Sequence, residues 1–202
     1  MQQLRGTTIE RIYQLKNRMN LTIDDKTFEI FIDHNMIEKR IRLIGIQLNV
    51  DYEGKTPIFI GVLNGSFMFM ADLMKEVEIS CEMAFVKVSS YYGETQTSGE
   101  IQDDYSLTMD ISGRDIIIIE DIIDTGKTLD YLINNFKKKK PASIKVATLL
   151  FKPKALEKNI EEIEYVGFEI ANDFVVGYGL DYKGLGRNTK DIFRLCKQKL
   201  PG

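Results

Sequence analysis

The sequence of 202 residues predicts an α/β fold in which helices flank a mainly parallel central sheet. The first observation is a series of short apolar runs with little polar alternation, which is typical of strands covered on both faces. The second observation is that segments with helical apolar spacing lie between these runs. Strands that alternate with helices favour parallel pairing, and the chain length favours a single domain over residues 1–202.

Five apolar runs are predicted to be strands. They lie at 57–63, 84–88, 115–119, 144–150 and 174–178. Ligands of open α/β sheets bind at the carboxyl ends of the strands. We therefore expect a binding site in the loops that follow these runs.

Three apolar stripes with spacings of three and four residues predict helices, each with one buried face. They are Ile37, Ile41, Ile44 and Leu48; Phe67, Met70, Leu73 and Met74; and Leu129, Leu132, Ile133 and Phe136. The lysines at 137–140 are interpreted as a solvated helix end that complements the helix dipole. His34 precedes the first stripe and is interpreted as a surface or cap residue with no part in catalysis.

Composition argues against several classes of protein. The net charge of -3 gives no global attraction for nucleic acid, so any anion site must be local. Cys81 and Cys196 lie far from each other and from the only histidine, so neither a zinc site nor a disulfide framework is expected. No signal peptide and no apolar run long enough to span a bilayer is apparent, and the expected location is the cytoplasm.

The segment 120–128 carries the strongest functional signal. Glu120 and Asp121 follow four isoleucines, Asp124 comes three residues later, and the sequence TGKT at 125–128 precedes a predicted helix. Small residues and free N–H groups at a helix N-terminus suit a phosphate. Carboxylates suit Mg²⁺ or sugar hydroxyls. A ligand with both a phosphate and vicinal hydroxyls would use the whole segment.

Two plainer interpretations of this segment are weaker. A P-loop requires a glycine five residues before Gly126, and Asp121 occupies that position. An ordinary turn with a threonine cap would explain Thr125 or Thr128, but it would not explain three acids beside apolar residues.

The string EDIIDTGKTL at 120–129 resembles the phosphoribosyl-pyrophosphate signature of the hypoxanthine–guanine phosphoribosyltransferase family. The resemblance implies a type I phosphoribosyltransferase-like fold with a small hood formed by the terminal segments. It also implies transfer of a phosphoribosyl group from 5-phosphoribosyl-1-pyrophosphate (PRPP) to N9 of a 6-oxopurine, hypoxanthine or guanine. The products would be a purine nucleoside 5'-monophosphate and pyrophosphate.

The same resemblance implies roles within the signature. Glu120 and Asp121 would meet the ribose hydroxyls and Mg²⁺. Asp124 would lie near N7 of the purine and act as the catalytic acid or base. The 5-phosphate would be wrapped by Asp124, Thr125, Gly126, Lys127 and Thr128.

Two further segments resemble the family's loops around the reacting centre. Leu63, Asn64 and Gly65 would bind pyrophosphate, with a non-proline cis peptide bond between Leu63 and Asn64. Many relatives carry lysine at the position of Asn64, so the resemblance implies the backbone role and leaves the side-chain role open. Ser90 and Tyr91 would belong to a mobile loop that closes over the site and excludes water.

The remaining matches concern the base and the leaving group. Lys152 would donate to O6 of the purine, which selects a 6-oxopurine over adenine because the N6 amino group of adenine is itself a donor. Phe174 would stack on the purine and the backbone of Val175 would contact its edge. Asp181, beside the base, would hold a second Mg²⁺ through water, and Arg187 would bind pyrophosphate.

Two alternatives remain beside this interpretation. One is a non-catalytic regulator of the same fold that binds RNA or DNA; the acidic charge and the lack of an added basic segment argue against it. The other is an enzyme of the same class for adenine or a pyrimidine, against which Lys152 and Phe174 argue. The family resemblance also implies a homodimer or a homotetramer.

Overall fold

The computed structural model describes residues 20–88 and 107–196. Ser90 and Tyr91 lie outside these residues. In chain order the strands are β1 (Asn20–Ile23), β2 (Lys26–Ile32), β3 (Ile58–Leu63), β4 (Glu82–Lys87), β5 (Asp115–Ile123), β6 (Ser143–Phe151), β7 (Ile163–Glu169), β8 (Val175–Val176) and β9 (Ile192–Leu195). The helices are α1 (His34–Asp51), α2 (Phe67–Glu76) and α3 (Lys127–Lys138).

The larger sheet is parallel and has the strand order β4-β3-β5-β6-β7. Its central strand β5 shows why the apolar runs lack polar alternation. Ile117 and Ile119 pack into the core cluster that includes α1 and α2, whereas Ile116 and Ile118 pack into the cluster that includes α3. Both faces of β5 are therefore buried, and the predicted α/β architecture is confirmed.

The helical stripes are confirmed with one exception. All four apolar residues of the first stripe are buried in α1, and all four of the third are buried in α3. In α2, Met70 and Leu73 are buried as predicted and Met74 is partly buried, but Phe67 is exposed and Phe69 takes the buried position. Phe67 is the first residue of the helix, where the chain leaves the preceding loop.

The smaller sheet has the order β1-β2-β9-β8 and is antiparallel. Its strands come from residues 20–32 and 175–195, so the hood expected from the terminal segments is confirmed. It has its own apolar cluster, formed by Ile23, Phe28, Val176 and Phe193.

The assignment of the run 174–178 to the parallel sheet was wrong. Val175 and Val176 form β8, which pairs with β9 in the hood. The strand ends there because Gly177, Tyr178 and Gly179 all have positive φ, which is incompatible with an extended strand. The fifth parallel strand is instead β7, an edge strand in which Glu164 and Glu169 enclose an uncharged stretch of only four residues.

Among the helices of the described residues, none combines the length and apolar character that a bilayer crossing requires. Cys81 and Cys196 are both free and partly buried. Burial raises the pKa of the Cys81 thiol. His34 is the first residue of α1, where Asp33 forms the N-cap, which confirms the expected cap-region position.

Candidate active site

Strand β5 is longer than predicted, and its extension carries the two acids of the signature. The sequence placed the end of the strand at Ile119, but pairing with β6 continues through Ile123. Successive side chains of a strand point to opposite faces. Glu120 and Asp121 therefore face different parts of the site.

Glu120 faces the loop that joins β5 to α3. It lines a pocket of about 110 Å³ with the residues of that loop, Asp124 to Thr128. Burial, followed by the negative charge of Asp121, holds the pKa of Glu120 well above its usual range. A buried carboxylate without a cation partner is costly, so a ligand that brings hydroxyl donors or a cation would stabilise it.

The loop closes onto the start of α3, which begins at Lys127 and so two residues before the predicted start. The N-cap is Gly126 rather than a threonine, and its φ of 78° is in the left-handed region. A Cβ at this position would lie 2.7 Å from Leu156 Cδ1, so glycine satisfies both the conformation and the close approach. The first N–H groups of α3 have no partners within the helix, which gives the pocket donors for a phosphate.

Asp121 lies against the loop that follows β3. The Leu63–Asn64 peptide bond is cis, as the resemblance implied. A Cβ on Gly65 would overlap Asp121 Oδ2, so glycine is required for this contact. Burial raises the pKa of Asp121 to about 6; the charge of Asp181 adds to the rise, and that of Arg187 opposes it.

The turn after β8 completes this part of the site. Arg187 donates from Nη1 to the Gly179 carbonyl at 2.6 Å, and its Nη2 lies 2.5 Å from Asp181 Oδ1. Asp181 Oδ2 also accepts from Gly184 N at 2.6 Å. A Cβ on Gly179 would overlap the Gly65 carbonyl oxygen, so the hood and the loop after β3 touch through their backbones.

Lys152 and Asp124 form an ion pair at the carboxyl ends of β6 and β5. The distance from Lys152 Nζ to Asp124 Oδ2 is 2.7 Å. Lys152 is 6% exposed, whereas the side chain of Asp124 is 46% exposed. The ammonium of Lys152 is therefore buried, whereas about half of the Asp124 side chain is accessible to a ligand.

Phe174 lies on the hood with 44% of its surface exposed. Its ring packs edge-on against Tyr182, with 5.8 Å between centroids, and Lys26 Nζ lies 5.2 Å from its centroid. Val175 is buried, and strand pairing holds its backbone. An exposed, supported aromatic face is suited to stacking on a planar base.

No group of three or more His, Cys, Asp or Glu side chains within residues 20–88 and 107–196 is arranged to hold a metal ion. Glu120 and Asp121 point to opposite faces, and Asp181 is engaged by Arg187. This donor set fits Mg²⁺ that arrives with a phosphorylated ligand, because Mg²⁺ is commonly held by one or two carboxylates together with substrate phosphates and water.

Sequence reasoning missed the part of the site that depends on contacts between distant segments. It assigned no role to Gly179, although its carbonyl holds Arg187, and none to Tyr178 beside it. The signal was present in the sequence Gly177-Tyr178-Gly179, since two glycines around an aromatic residue indicate an unusual backbone.

The architecture and the loops define a class of protein. Residues 29–183 match the family described as phosphoribosyl transferase domain. The chain belongs to this phosphoribosyltransferase family.

Within the family, several similar proteins are described as hypoxanthine or hypoxanthine-guanine phosphoribosyltransferases. The chain is 48% identical over 164 residues to the hypoxanthine-guanine phosphoribosyltransferase of Streptococcus pneumoniae, covering 81% of this chain and 91% of that protein. It is 48% identical over 160 residues to the protein of the same name from Streptococcus pyogenes, covering 79% and 88%. The solved structure of a hypoxanthine phosphoribosyltransferase from Staphylococcus aureus superposes with a TM-score of 0.75 at 40% identity, over 83% of this chain and 91% of that one.

Proposed function

We propose that the protein transfers the phosphoribosyl group of PRPP to N9 of a 6-oxopurine, hypoxanthine or guanine, and so acts in purine salvage. The observation that carries this proposal is the Lys152–Asp124 pair beside the phosphate-binding loop. The family and the names of the relatives support the reaction.

The geometry of the pair matches one edge of a 6-oxopurine. O6 and N7 are neighbours on that edge. Lys152 is a donor that suits O6, and Asp124 is an acceptor that suits a proton on N7. Because the two side chains are 2.7 Å apart, one purine edge can meet both.

The chemical steps follow from these positions. N9 forms a bond to C1 of the sugar while the bond from C1 to pyrophosphate breaks. Asp124 takes the proton from N7 of the purine while an electron pair of N9 forms the new bond to C1. Phe174 orients the purine ring through stacking, and the backbone of Val175 fixes its edge.

The sugar and the leaving group are proposed to bind on either side of β5. The 5-phosphate occupies the pocket at 124–128, and Glu120 and Asp121 accept from the ribose hydroxyls. Leu63, Asn64, Gly65 and Arg187 bind the pyrophosphate. Ser90 and Tyr91 are proposed to cover the reacting atoms.

The resemblance of the signature at 120–129 to the family's PRPP-binding signature implies dependence on Mg²⁺. The carboxylates of Glu120, Asp121 and Asp181 are proposed to hold it together with the substrate. When bound, Mg²⁺ supplies positive charge that stabilises the departing pyrophosphate.

We also propose that the chain forms one domain in the cytoplasm and assembles as a homodimer or homotetramer. The edge strand β4 supports assembly, because Met83 and Phe85 are 56% and 47% exposed on the same face. Exposed apolar surface of this kind is typical of protein interfaces. The molar mass from sedimentation equilibrium tests this point; a monomer at micromolar concentration would contradict it.

Steady-state kinetics with PRPP, Mg²⁺ and a panel of bases tests the proposed reaction. We expect hypoxanthine and guanine to react, and adenine and uracil to react poorly. The same assay ranks xanthine against hypoxanthine and guanine. Lys152→Met should lower kcat/KM for hypoxanthine by about 10–100-fold, because a buried charged donor to O6 is lost. Lys154→Met, an exposed lysine two residues away, is the matched control.

Efficient use of adenine or uracil would contradict the assignment of Lys152 as the selective donor. If no base gives an absorbance change, the non-catalytic regulator becomes the better interpretation. Binding of RNA or DNA would then be the property to measure.

A further inference from the structure

The two halves of the proposed pyrophosphate site belong to different sheets. The loop at 63–65 follows β3 of the parallel sheet, whereas Arg187 lies in the hood between β8 and β9. The two halves meet where Gly179 of the hood approaches the Gly65 carbonyl oxygen so closely that a Cβ on Gly179 would overlap it. The position of Arg187 relative to the loop therefore depends on how the hood is held against the parallel sheet.

A partly buried hydrogen bond joins the halves directly beside this contact. Tyr178, which precedes Gly179, donates its hydroxyl proton to Asp72 Oδ2 on α2, the helix that follows the loop. Tyr178 is 1% exposed. Burial, together with the bond to Asp72, raises the pKa of Tyr178, so the hydroxyl keeps its proton and remains a donor. Asp72 Oδ1 accepts from Lys75 Nζ at 2.7 Å.

The backbone indicates that the tyrosine side chain is needed at this position. Gly177, Tyr178 and Gly179 have φ values of 98°, 51° and 101°. Such values are easy for glycine and unfavourable for a residue with a Cβ. Tyr178 between the two glycines is therefore favoured by the contacts of its side chain, which include the hydrogen bond to Asp72.

Hydrogen bonds of the turn connect Tyr178 to Arg187. Tyr178 N donates to the Thr189 carbonyl at 3.0 Å, and Gly179 N donates to the Arg187 carbonyl at 2.9 Å. The guanidinium of Arg187 donates back to the Gly179 carbonyl. Fixing the ring of Tyr178 in the core thus fixes both the backbone and the side chain of Arg187.

We propose that Tyr178 and Asp72 form a positioning pair that holds Arg187 at the correct distance from the loop at 63–65 and so sets the affinity for the pyrophosphate group of the substrate. This inference rests on the proposed function. Neither residue is expected to touch the substrate; both act through Arg187.

Tyr178→Phe in the full-length protein tests the pair. It removes the hydroxyl and keeps the buried ring. Tyr165→Phe is the matched control, because Tyr165 is also buried and donates to a carboxylate, Asp51 Oδ2 at 2.8 Å, but it joins β7 to the end of α1 away from the site.

Tyr178→Phe is expected to raise the KM for PRPP, and the Kd for inorganic pyrophosphate with Mg²⁺ by calorimetry, about tenfold. The KM for hypoxanthine and kcat should change by less than about twofold. Tyr165→Phe should leave all four constants near those of the wild type. Adding Asp72→Ala to Tyr178→Phe should cause little further change, whereas Lys75→Ala alone should cause none.

The positioning role of Tyr178 and Asp72 is refuted if Tyr178→Phe and Tyr165→Phe affect the KM for PRPP equally. It is also refuted if Tyr178→Phe changes kcat and both KM values by similar factors, since that pattern indicates general loss of structure. A wild-type protein that binds pyrophosphate but converts no base would contradict the proposed function alone. The pyrophosphate affinities of Tyr178→Phe and Tyr165→Phe would then still test the role of the Tyr178–Asp72 pair. A wild-type protein that binds no pyrophosphate would overturn both.

Discussion

Asp124 has two properties that suit a proton carrier. Its carboxylate is half exposed at the end of β5, so a base can reach it, and its other contact is the buried ammonium of Lys152. Lys152 anchors the carboxylate, yet its ammonium has three donors and can turn one of them toward a ligand. The pair therefore presents a donor and an acceptor side by side.

Asp124→Asn is predicted to lower kcat about 100-fold or more, because an amide cannot take the N7 proton. The KM for PRPP should change by less than about twofold, since the amide oxygen still accepts from Lys152 and the loop keeps its shape. Asp130→Asn, which changes a partly exposed acid in the first turn of α3, should have no effect. Steady-state kinetics of both variants tests this prediction. An unchanged kcat in Asp124→Asn would show that Asp124 does not carry the N7 proton.

At the scale of elements, Gly126 determines the conformation of the loop at 124–128, which joins β5 to α3. Gly126 combines a left-handed φ with close contact to Leu156 and Ile160, which lie after β6. The loop conformation is therefore set partly by residues about 30 positions later in the chain. Gly113 offers a comparison, because it has a similar φ of 68° and no atom near its missing Cβ.

Gly113→Ala should lower the free energy of unfolding by about 1 kcal/mol through backbone strain alone. Gly126→Ala should lower it by about 2–4 kcal/mol, because steric overlap is added to the strain. Urea denaturation gives both values, and calorimetry with PRPP and Mg²⁺ should show weaker binding only for Gly126→Ala. Equal losses in the two variants would mean that Leu156 and Ile160 move aside.

The same contrast between local and distant contacts explains what the sequence could predict. The signature at 120–128 is contiguous, so its loop, its acids and the following helix were visible as one pattern. Strand β5 and the stripes of α1 and α3 were visible because each buries a regular set of apolar residues. The extension of β5 beyond Ile119, through Glu120 to Ile123, could not be predicted, because pairing with β6 outweighs the polar character of the acids.

The contacts that close the site were beyond the sequence for a physical reason. Gly65, Asp121 and Gly179 come from three separate segments. Pairing of β3 with β5 brings Gly65 to Asp121, and packing of the hood on the parallel sheet brings Gly179 to Gly65. The strand at 174–178 was assigned to the wrong sheet because a short apolar run has no feature that specifies its partner. The positive φ values at 177–179 end this strand at Val176.

For the whole molecule, the main consequence is that one ligand would bridge two sheets. Glu120 and Asp121 lie on the parallel sheet, and Asp181 and Arg187 lie on the hood. PRPP that contacts both would stabilise the folded state by mass action and would oppose separation of the two layers.

PRPP with Mg²⁺ at about 100 times its Kd should therefore raise the midpoint of thermal unfolding by roughly 5–10 °C. PRPP with EDTA should give a clearly smaller rise, because the acids on both layers would then face the substrate's negative charge without a cation between them. Asp181→Asn should lose part of the Mg²⁺-dependent rise. Asp24→Asn should retain it, because Asp24 is a hood acid that pairs with Lys183 at the surface. If PRPP raised the midpoint equally with Mg²⁺ and with EDTA, the carboxylates would have to bind the sugar hydroxyls alone, and the metal would have no part in joining the hood to the parallel sheet.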